Sequence, residues 1–425
     1  MADIRPFPGI RYNAGKIDNL DSVVTQPYDK ITPKMQDSYI ASDPHSFVRL
    51  ILPKENDPYE SSARLCRQWL KDKTMVRDKK PAVYVLHEEF EQGGKKLVRK
   101  GFVAAVRVEE FAKGTVLPHE FTLSKPKADR LNMLRATQKD YEQIFMLYSD
   151  PEAAVDSVLE VSDPPDLQVT DEYHVVHKMW AVTEPKKLGV LHKAMADKVL
   201  LIADGHHRYE TALGFRKEME QESELDENAA LRFKTSAFVN ISDPGLVILP
   251  THRLVYGLES LDLRSVFARL RDAFTITPVA DEEAEAELGR NKDVPAFVLY
   301  AGKGKGHLIR LAEAYRIDRF FGKDKSADYR SLDVSVLHAV VLEGILGIAR
   351  SKIEEHVRYE RSWAETLNRV DSGENQVAFL MNPTRTEQVQ TLAAKGERMP
   401  QKSTDFFPKL ISGMVFMDVA SGLTL

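Results

Sequence analysis

The chain contains 425 residues, of which 43% are hydrophobic and 29% are charged, and this composition is typical of a soluble globular protein. The length predicts two or three domains, or one large elaborated α/β unit. The formal net charge of −5 argues against a nucleic-acid partner, because proteins that bind nucleic acid usually show a basic excess or a basic stripe.

The sequence also limits the compartment and the covalent chemistry. Cys66 is the single cysteine, so neither an intrachain disulfide framework nor a cysteine-based zinc site is possible. The first residues contain no apolar signal core. The apolar stretch at 337–349, interrupted by His338 and Glu343, is too short to span a bilayer and is predicted to form a buried helix. We therefore expect a cytoplasmic protein without a membrane partner.

The first half of the chain predicts hairpins and helices in an α+β (mixed α/β) pattern rather than a regular βαβ repeat. Runs of β-branched and aromatic residues predict the strands, and spaced apolar residues predict the helices. Gln92-Gly93-Gly94 is typical of a hairpin turn. The predicted elements are an irregular proline-containing segment at 1–50, helices at 57–76 and 129–142, and strands at 82–87, 102–108 with an extension back to 97, 144–148 and 199–203.

An acidic, polar connector at 222–228 predicts a domain boundary in the second half of the chain. The boundary separates an N-terminal α+β region at 1–225 from a C-terminal α+β region at 226–425, unless the chain is one integrated unit. The lysine–glycine segment at 302–306 lacks the Walker spacing and the following helix, so we interpret it as an ordinary hairpin turn. The predicted elements are strands at 235–241, 247–249, 296–300, 307–311 and 377–381 and a helix at 386–395.

The most informative segment is the change from strand to helix at 199–213. Its apolar run ends at Asp204-Gly205, which is typical of a turn, and a helical pattern follows from Tyr209. Backbone N–H groups and the positive end of a helix dipole would lie beside His206-His207-Arg208, which predicts an anion site in a solvent-accessible cleft. The alternative is that Asp204 caps the helix and that the other side chains are solvated turn residues.

Two loops in the first half supply carboxylates. In Pro118-His119-Glu120, Glu120 is interpreted as a general base or as a carboxylate that holds Mg²⁺, and the alternative is a polar pair at the end of a strand. In Gln26-Pro27-Tyr28-Asp29, the proline stiffens the turn. Asp29 is either a catalytic carboxylate or the cap of a helix that begins near Thr32.

Two further loops in the second half carry cationic and hydroxyl side chains. Pro250-Thr251-His252-Arg253 repeats the theme of an apolar strand followed by His-Arg. The segment at 399–409 contains Lys402, Ser403 and Thr404 between two prolines, and lysine with hydroxyl groups suits phosphate oxygens. The alternative is a rigid loop whose phenylalanines fill the core.

The turn Asp204-Gly205-His206-His207-Arg208 resembles the nucleotide-site motif of the ParB/sulfiredoxin-like superfamily, and most closely that of the free-serine kinases. The similarity covers about a dozen residues. It implies a ParB/sulfiredoxin-like nucleotide-site core that is elaborated with additional mixed sheet and helices. In those kinases an N-terminal acidic residue acts as base toward the serine hydroxyl. This chain does not reproduce the local kinase motif, so Asp29 and Glu120 are alternative candidates for that role.

A second resemblance covers the whole chain, which looks like the prokaryotic family named domain of unknown function 1015. It supports a functional role for the loop after Pro118, because His119, Glu120, Thr122 and Arg130 match the characteristic segment of that family. The matching segments, in order, are Arg5-Pro6-Phe7, Gln26-Pro27-Tyr28-Asp29, Pro118-His119-Glu120-Phe121-Thr122, residues 202–209, Pro250-Thr251-His252-Arg253 and Met399-Pro400-Gln401-Lys402-Ser403-Thr404.

Several His/Arg/Lys loops and few paired carboxylates favour an anionic ligand, most simply a nucleotide or another phosphorylated compound. We expect Mg²⁺-dependent phosphoryl transfer from ATP or ADP to a hydroxylated metabolite such as free serine. The alternatives are a nucleotide-binding or nucleotide-hydrolysing regulator, as in ParB-type switches, and a histidine-based metal-dependent hydrolase. The sequence leaves the acceptor and the oligomeric state open.

Each candidate residue has an expected role in this reaction. We also expect the His119-Glu120 loop and the turn at 204–208 to share one pocket. The roles are catalysis for Glu120, Asp29, His206 and His207; nucleotide binding for Asp204, Gly205, His206, His207, Arg208, Arg253, Lys402, Ser403 and Thr404; substrate binding for Tyr28, His119, Thr122, Arg130 and His252; and metal binding for Glu120 and Asp204.

Overall fold

A computed structural model describes residues 2–121, 124–162, 164–312 and 317–425. The fold is mixed α+β, with a large mixed sheet and many helices. The α-helices are α1 (Pro33–Ser42), α2 (Val48–Ile51), α3 (Pro58–Lys71), α4 (Ser124–Thr137), α5 (Ala154–Val158), α6 (Pro185–Met195), α7 (His206–Glu222), α8 (Leu263–Leu270), α9 (Ala284–Arg290), α10 (Ala327–Arg330), α11 (Asp333–Val336), α12 (Ile353–His356), α13 (Trp363–Asp371) and α14 (Thr386–Ala394).

Each predicted strand overlaps a strand of the structure, which also contains strands that the sequence did not predict. The strands are β1 (Ile4–Arg5), β2 (Ile10–Tyr12), β3 (Met75–Arg77), β4 (Val83–Gln92), β5 (Lys95–Arg107), β6 (Val116–Leu117), β7 (Lys139–Asp140), β8 (Ile144–Tyr148), β9 (Leu167–Thr170), β10 (Val176–Val182), β11 (Leu200–Asp204), β12 (Phe233–Asn240), β13 (Val247–Leu249), β14 (His252–Val255), β15 (Phe274–Val279), β16 (Ala296–Tyr300), β17 (Gly306–Leu311), β18 (Val357–Glu360), β19 (Val377–Met381), β20 (Asp405–Phe407) and β21 (Met417–Asp418).

The chain forms two compact units. Unit 1 contains Met1–Pro118, Thr122–Val247 and Pro408–Leu425, and unit 2 contains His119–Phe121 and Ile248–Phe407. The connector at 222–228 therefore lies inside unit 1. Its role as a boundary between independently folding domains stays a prediction.

Unit 1 is built on a mixed sheet, which has nine strands in the described ranges. The strand order is β6-β11-β8-β12-β5-β4-β10-β9, and β1 pairs with β5. β11 is parallel to β6, β12 is parallel to β8, and the other pairs are antiparallel. All residues of β8 and β12 are buried, so these two strands lie in the core of unit 1.

The longest hairpin of unit 1 confirms the predicted turn and the predicted strand extension. Gly93 and Gly94 have φ values of 59° and 72°, which are easily adopted by glycine. β5 continues through Gly101, where a Cβ atom would lie 2.4 Å from the carbonyl oxygen of Phe238. Glycine at 101 therefore permits the close pairing of β5 with β12.

Several local predictions were wrong. The segment at 1–50, predicted to be irregular, contains α1 and most of α2, and the helix predicted at 57–76 ends at Lys71 and is followed by β3. The helix predicted at 129–142 is α4, which ends earlier because Gln138 has a φ of 51°. The helix predicted from Tyr209 begins three residues earlier, at His206. Asp29 does not cap α1, since Thr32 is the N-cap and its side chain accepts a hydrogen bond from the backbone N–H of Met35.

Unit 2 contains a six-stranded antiparallel sheet in the described ranges, in the order β15-β17-β16-β19-β14-β18. The β16–β17 hairpin confirms the interpretation of 302–306 as an ordinary turn. One face of the sheet packs on α9 and α13 through a cluster of apolar residues that includes Leu254, Leu288 and Val370. The apolar stretch predicted as a buried helix contains a π-helix at Leu337–Glu343, and residues 337–342 are buried.

None of the helices in the described ranges combines the length and the apolar character needed to cross a membrane.

Candidate functional site

The turn between β11 and α7 has a geometry that only glycine adopts without strain. Asp204 ends the strand, Gly205 has a φ of 92°, and the helix begins at His206. The Asp204 carboxylate accepts a hydrogen bond of 3.0 Å from the Gly205 N–H, and α7 has no side-chain N-cap. The 17-residue helix thus presents the positive end of its dipole at His206, without a capping side chain.

Arg208 is buried, which corrects the expectation of a solvent-accessible arginine. It is 8% exposed, its Nη1 donates to the carbonyl oxygen of Gln143, and its Nη2 lies 3.8 Å from Oδ2 of Asp204. Burial lowers its pKa, but the carboxylates of Asp204, Glu142 and Asp29 outweigh burial and raise the pKa of Arg208 above its usual value. Arg208 therefore joins the start of β8 to the turn as a permanent cation.

The loop that contains Tyr28 and Asp29 belongs to the same site. The Tyr28 N–H donates to Oε1 of Glu142 at 3.0 Å, and the Arg130 guanidinium lies 4.3 Å from the centre of the Tyr28 ring. Asp29 is exposed, and its carboxylate acts electrostatically on Arg208. The structure thus brings together Tyr28, Asp29, Arg130 and the turn at 204–208.

A cavity of about 60 Å³ lies in unit 1 beside Arg208. Cationic, acidic and apolar side chains line it. They are Arg130, Lys139, Arg208 and Lys234; Asp140 and Glu142; and Met133, Leu134, Phe215, Leu231 and Phe233, among others. Thr211, which is 5% exposed, also lines the cavity, and its hydroxyl has no hydrogen-bond partner among the residues that the structure describes.

Sequence reasoning missed a buried ion pair in this cavity. Lys234 donates to Oδ1 of Asp140 and, at 2.5 Å, to the carbonyl oxygen of Glu142. Oδ2 of Asp140 accepts hydrogen bonds of 2.7 Å from both the N–H and the hydroxyl of Thr235. Burial lowers the pKa of Lys234, although Asp140 opposes this effect. The sequence signal that could have indicated this ion pair is Lys234, which directly precedes the strand predicted at 235–241.

The His-Glu loop and the C-terminal loop meet in unit 2. Oε1 of Glu120 accepts hydrogen bonds from the Ser403 N–H at 3.1 Å and from the Thr404 N–H at 3.4 Å. Nε2 of His119 lies 2.9 Å from Oγ1 of Thr404. Nη2 of Arg253 donates to the carbonyl oxygen of Lys402 at 2.8 Å. These contacts join six of the predicted residues, and unit 2 also contains a seventh, His252.

His252 is oriented for a structural contact. Its Nδ1 accepts a hydrogen bond of 3.1 Å from the Met381 N–H, and its ring lies edge-on to Trp363 at 5.5 Å between centroids. Burial, together with the charge of Arg253, lowers the pKa of His252 to about 3. The imidazole is therefore neutral at physiological pH. Thr122, which was also predicted to bind substrate, lies outside the described residues.

The two groups of predicted residues fall in different units, with the turn at 204–208 in unit 1 and His119 with Glu120 in unit 2. The shared pocket, the catalytic roles of His206 and His207, and the binding of Mg²⁺ by Glu120 and Asp204 stay predictions. Across the described ranges, no group of three or more histidine, cysteine or acidic side chains is arranged to hold a metal ion.

Comparisons with known proteins identify a family and several solved structures. The model of a family described as "Protein of unknown function (DUF1015)" matches residues 4–335. No curated protein matches the chain. Similar structures include a conserved hypothetical protein from Pyrococcus furiosus, with 13% identity, coverage of 72% of this chain and 92% of that chain, and a TM-score of 0.36. A free serine kinase in complex with AMP has 14% identity, coverage of 69% and 83%, and a TM-score of 0.34. SbnI with a C-terminal truncation, from Staphylococcus aureus, has 11% identity, coverage of 72% and 84%, and a TM-score of 0.35.

Proposed function

The chain belongs to the DUF1015 family of proteins of unknown function, and we propose that it is a small-molecule kinase with its nucleotide site in unit 1. In this proposal the phosphates of ATP or ADP bind at the start of α7, and the phosphoryl acceptor is a hydroxylated metabolite, with free serine the first to try. The observation that carries the proposal is the cavity beside the buried Arg208, where cations and an apolar wall occur together.

The charges of the cavity suit a polyanion. Four cationic side chains line it (Arg130, Lys139, Arg208 and Lys234), against two carboxylates. The positive end of the α7 dipole adds further positive potential. Backbone N–H groups at the start of a helix also bind phosphate well. Phosphoryl transfer needs this kind of fixed positive environment around the moving group.

The apolar part of the cavity suits the organic part of a nucleotide. Phe215, Leu231 and Phe233 line it together with Met133. Ligand sites are commonly apolar surfaces with a few polar groups that fix the orientation. A free phosphate ion would not use this wall, so the cavity favours a nucleotide over an inorganic anion. The proposal includes a ParB/sulfiredoxin-like nucleotide-site core in unit 1.

Asp29 is the better of the two candidate bases. Its carboxylate makes no hydrogen bond or ion pair within the described ranges and lies within electrostatic reach of Arg208. Glu120, by contrast, uses Oε1 to hold the backbone N–H groups of Ser403 and Thr404 in unit 2. Asp29 would accept the proton of the acceptor hydroxyl as the oxygen attacks the terminal phosphorus.

Asp204 is the residue of the turn that would hold Mg²⁺. Its Oδ2 lies 3.5 Å from Nζ of Lys409 and 3.8 Å from Nη2 of Arg208, and its side chain is 28% exposed. Mg²⁺ is commonly bound by one or two carboxylates together with substrate phosphates and water. When bound, the ion would neutralise charge on the phosphates during transfer.

A binding screen followed by a turnover assay tests the proposal. Thermal shifts are measured with AMP, ADP and ATP, with and without Mg²⁺, and labelled nucleotide is then incubated with serine and other hydroxylated metabolites. Asp29→Asn should bind nucleotide normally but lose acceptor-dependent product. Asp37→Asn, on the exposed face of α1, is the matched control and should behave as the wild type.

The outcomes separate the alternative functions. Tight nucleotide binding without any acceptor-dependent product would favour the nucleotide-dependent regulator. A stoichiometric transition metal retained through purification, with hydrolysis and no nucleotide binding, would favour the hydrolase. The absence of nucleotide binding would contradict both the kinase and the regulator.

A further inference from the structure

Arg253 in unit 2 is a buried cation without a carboxylate partner. It is 2% exposed, and its Nη atoms donate only to the backbone carbonyl oxygens of Thr251 and Lys402. Within the described ranges no acidic side chain forms an ion pair with it. Burial lowers the pKa of Arg253 to about 10, against the opposing influence of Tyr359 and Glu120, so the guanidinium is still charged at neutral pH. A buried charge without a counter-charge is energetically unfavourable.

Buried polar atoms without partners occur at and near this cation. Among the described residues, Nε of Arg253, the hydroxyl of Tyr359 and Nε2 of His338 have no hydrogen-bond partner. Tyr359 is the residue directly opposite Arg253 in the β14–β18 pair, and its ring centre lies 5.5 Å from Cζ of Arg253. Burial raises the pKa of Tyr359, so the hydroxyl keeps its proton.

The imidazole of His338 is the second donor group. It lies in the π-helix at Leu337–Glu343, and such local π-helices occur frequently at functional sites. Burial first, and then the charges of Arg253 and Arg350, lower the pKa of His338 well below its usual value. A neutral imidazole can donate from one ring nitrogen. Three side chains, including Arg253 itself, thus have buried polar atoms without a described partner. A bound anion at Arg253 would supply a hydrogen-bond acceptor.

A small cavity in unit 2 borders Arg253. It has a volume of about 20 Å³ and is lined by Arg253, Thr251, Asp333, Asn382, Thr384 and Ser403, among others. Leu332 and Gln388 line this cavity and also a larger open groove beside α14, so the cavity lies next to that groove.

We propose that unit 2 contains a separate binding site for the oxyanion group of a small molecule, either a carboxylate or a phosphoryl group. Arg253 supplies the counter-charge, and the hydroxyl of Tyr359 donates a hydrogen bond. From the sequence, Arg253 was expected to bind the phosphates of a nucleotide. In this proposal it binds a different anion, within unit 2. No residue of this site belongs to unit 1, so the proposal stands independently of the kinase function.

Titration of the full chain with inorganic phosphate and, separately, with acetate at constant ionic strength tests the proposal by calorimetry. We expect saturable binding of one of the two anions, and the anion that binds identifies the phosphoryl or carboxylate class. Tyr359→Phe keeps the ring and removes the donor, and it should weaken binding by about three- to tenfold. Arg253→Gln should abolish binding.

One control separates this site from other effects. Arg358→Gln removes an exposed guanidinium from the neighbouring position of β18, where it pairs with Glu374, and should leave the affinity within about twofold of the wild type. If Arg253→Gln does not fold, Tyr359→Phe decides the outcome. The proposal is overturned if the wild type binds neither anion saturably, or if Tyr359→Phe binds as tightly as the wild type.

Discussion

Gly205 and the guanidinium of Arg208 are in close contact across the first turn of α7. A Cβ atom at position 205 would lie 3.0 Å from Nε and 3.1 Å from Cζ of Arg208, and the φ of Gly205 is 92°. The glycine thus serves two purposes, because it allows the abrupt change from strand to helix and leaves room for a buried cation. Any side chain at this position would disturb both.

Gly205→Ala tests this contact. The positive φ and the crowding against Arg208 together should destabilise the protein by about 1–3 kcal/mol. The displaced guanidinium should also weaken nucleotide binding at the start of α7. Urea denaturation measures the first effect, and a nucleotide titration of the folded variant measures the second. Gly189→Ala is the control, since a Cβ atom there meets no neighbour within 4 Å in the helix α6.

Arg208→Ala should reduce both stability and ligand binding. From the sequence we expected a melting temperature close to that of the wild type, because the side chain was placed in an accessible cleft. The structure instead buries the guanidinium among Asp204, Glu142 and Asp29. Loss of the cation leaves these carboxylates and the Gln143 carbonyl without their partner, which should destabilise the fold by about 3–5 kcal/mol.

Arg208→Lys separates charge from hydrogen-bond geometry at the same position. Lysine retains the positive charge but not the planar fork, so stability should fall less than in Arg208→Ala. Equal melting temperatures of Arg208→Ala and the wild type would show that the guanidinium does not stabilise the turn. Circular dichroism melts of the three proteins at one pH provide the comparison.

The parts of this fold that could be predicted from the sequence depend on local sequence patterns. The parts that could not be predicted depend on single backbone conformations or on contacts between distant residues. The β4–β5 and β16–β17 hairpins depend on local alternation and on glycine turns, and both are confirmed. The start of α7 was misplaced because one glycine at a positive φ lets the helix begin at once. The end of α4 was misplaced because Gln138 adopts a left-handed conformation, which is uncommon for this residue type.

The residues of the candidate site also divide into those that a local pattern predicts and those that tertiary contacts place. The turn at 204–208 carries its own signal, since strand, Asp-Gly and helix follow one another in the sequence. The approach of Asp29 to Arg208 joins positions 179 residues apart and depends on how the N-terminal segment packs. Glu142 and Lys234 act through tertiary contacts as well. No local pattern marks such residues, and their roles follow only from packing.

Asp333→Asn should change the pH dependence of stability. Burial raises the pKa of Asp333 from 3.8 to about 7, with backbone and side-chain contacts opposing the shift. The folded state therefore binds more protons than the unfolded state between these values, and stability is lost as the pH rises from about 4 to 7. The loss for the wild type is on the order of 2–4 kcal/mol.

The substitution should remove this loss and make the variant more stable than the wild type at pH 8. Urea denaturation midpoints at pH 5, 6, 7 and 8 measure the trend for both proteins. Asp293→Asn, at a carboxyl group whose side chain is 99% exposed, should leave the slope unchanged. A wild type whose stability does not fall between pH 5 and 8 would argue that Asp333 titrates as an ordinary surface acid.

The carboxylates of Asp29 and Glu120 should respond differently to the same isosteric change. Oε1 of Glu120 accepts backbone hydrogen bonds from Ser403 and Thr404, and a glutamine oxygen can accept the same bonds. Glu120→Gln should therefore retain acceptor-dependent turnover within about threefold. Asp29→Asn removes the proposed base and should lower turnover by about 100-fold or more, with nucleotide affinity unchanged. Initial rates of acceptor phosphorylation, measured alongside nucleotide affinity, distinguish the two. A large loss in Glu120→Gln with normal turnover in Asp29→Asn would transfer the role of base to unit 2.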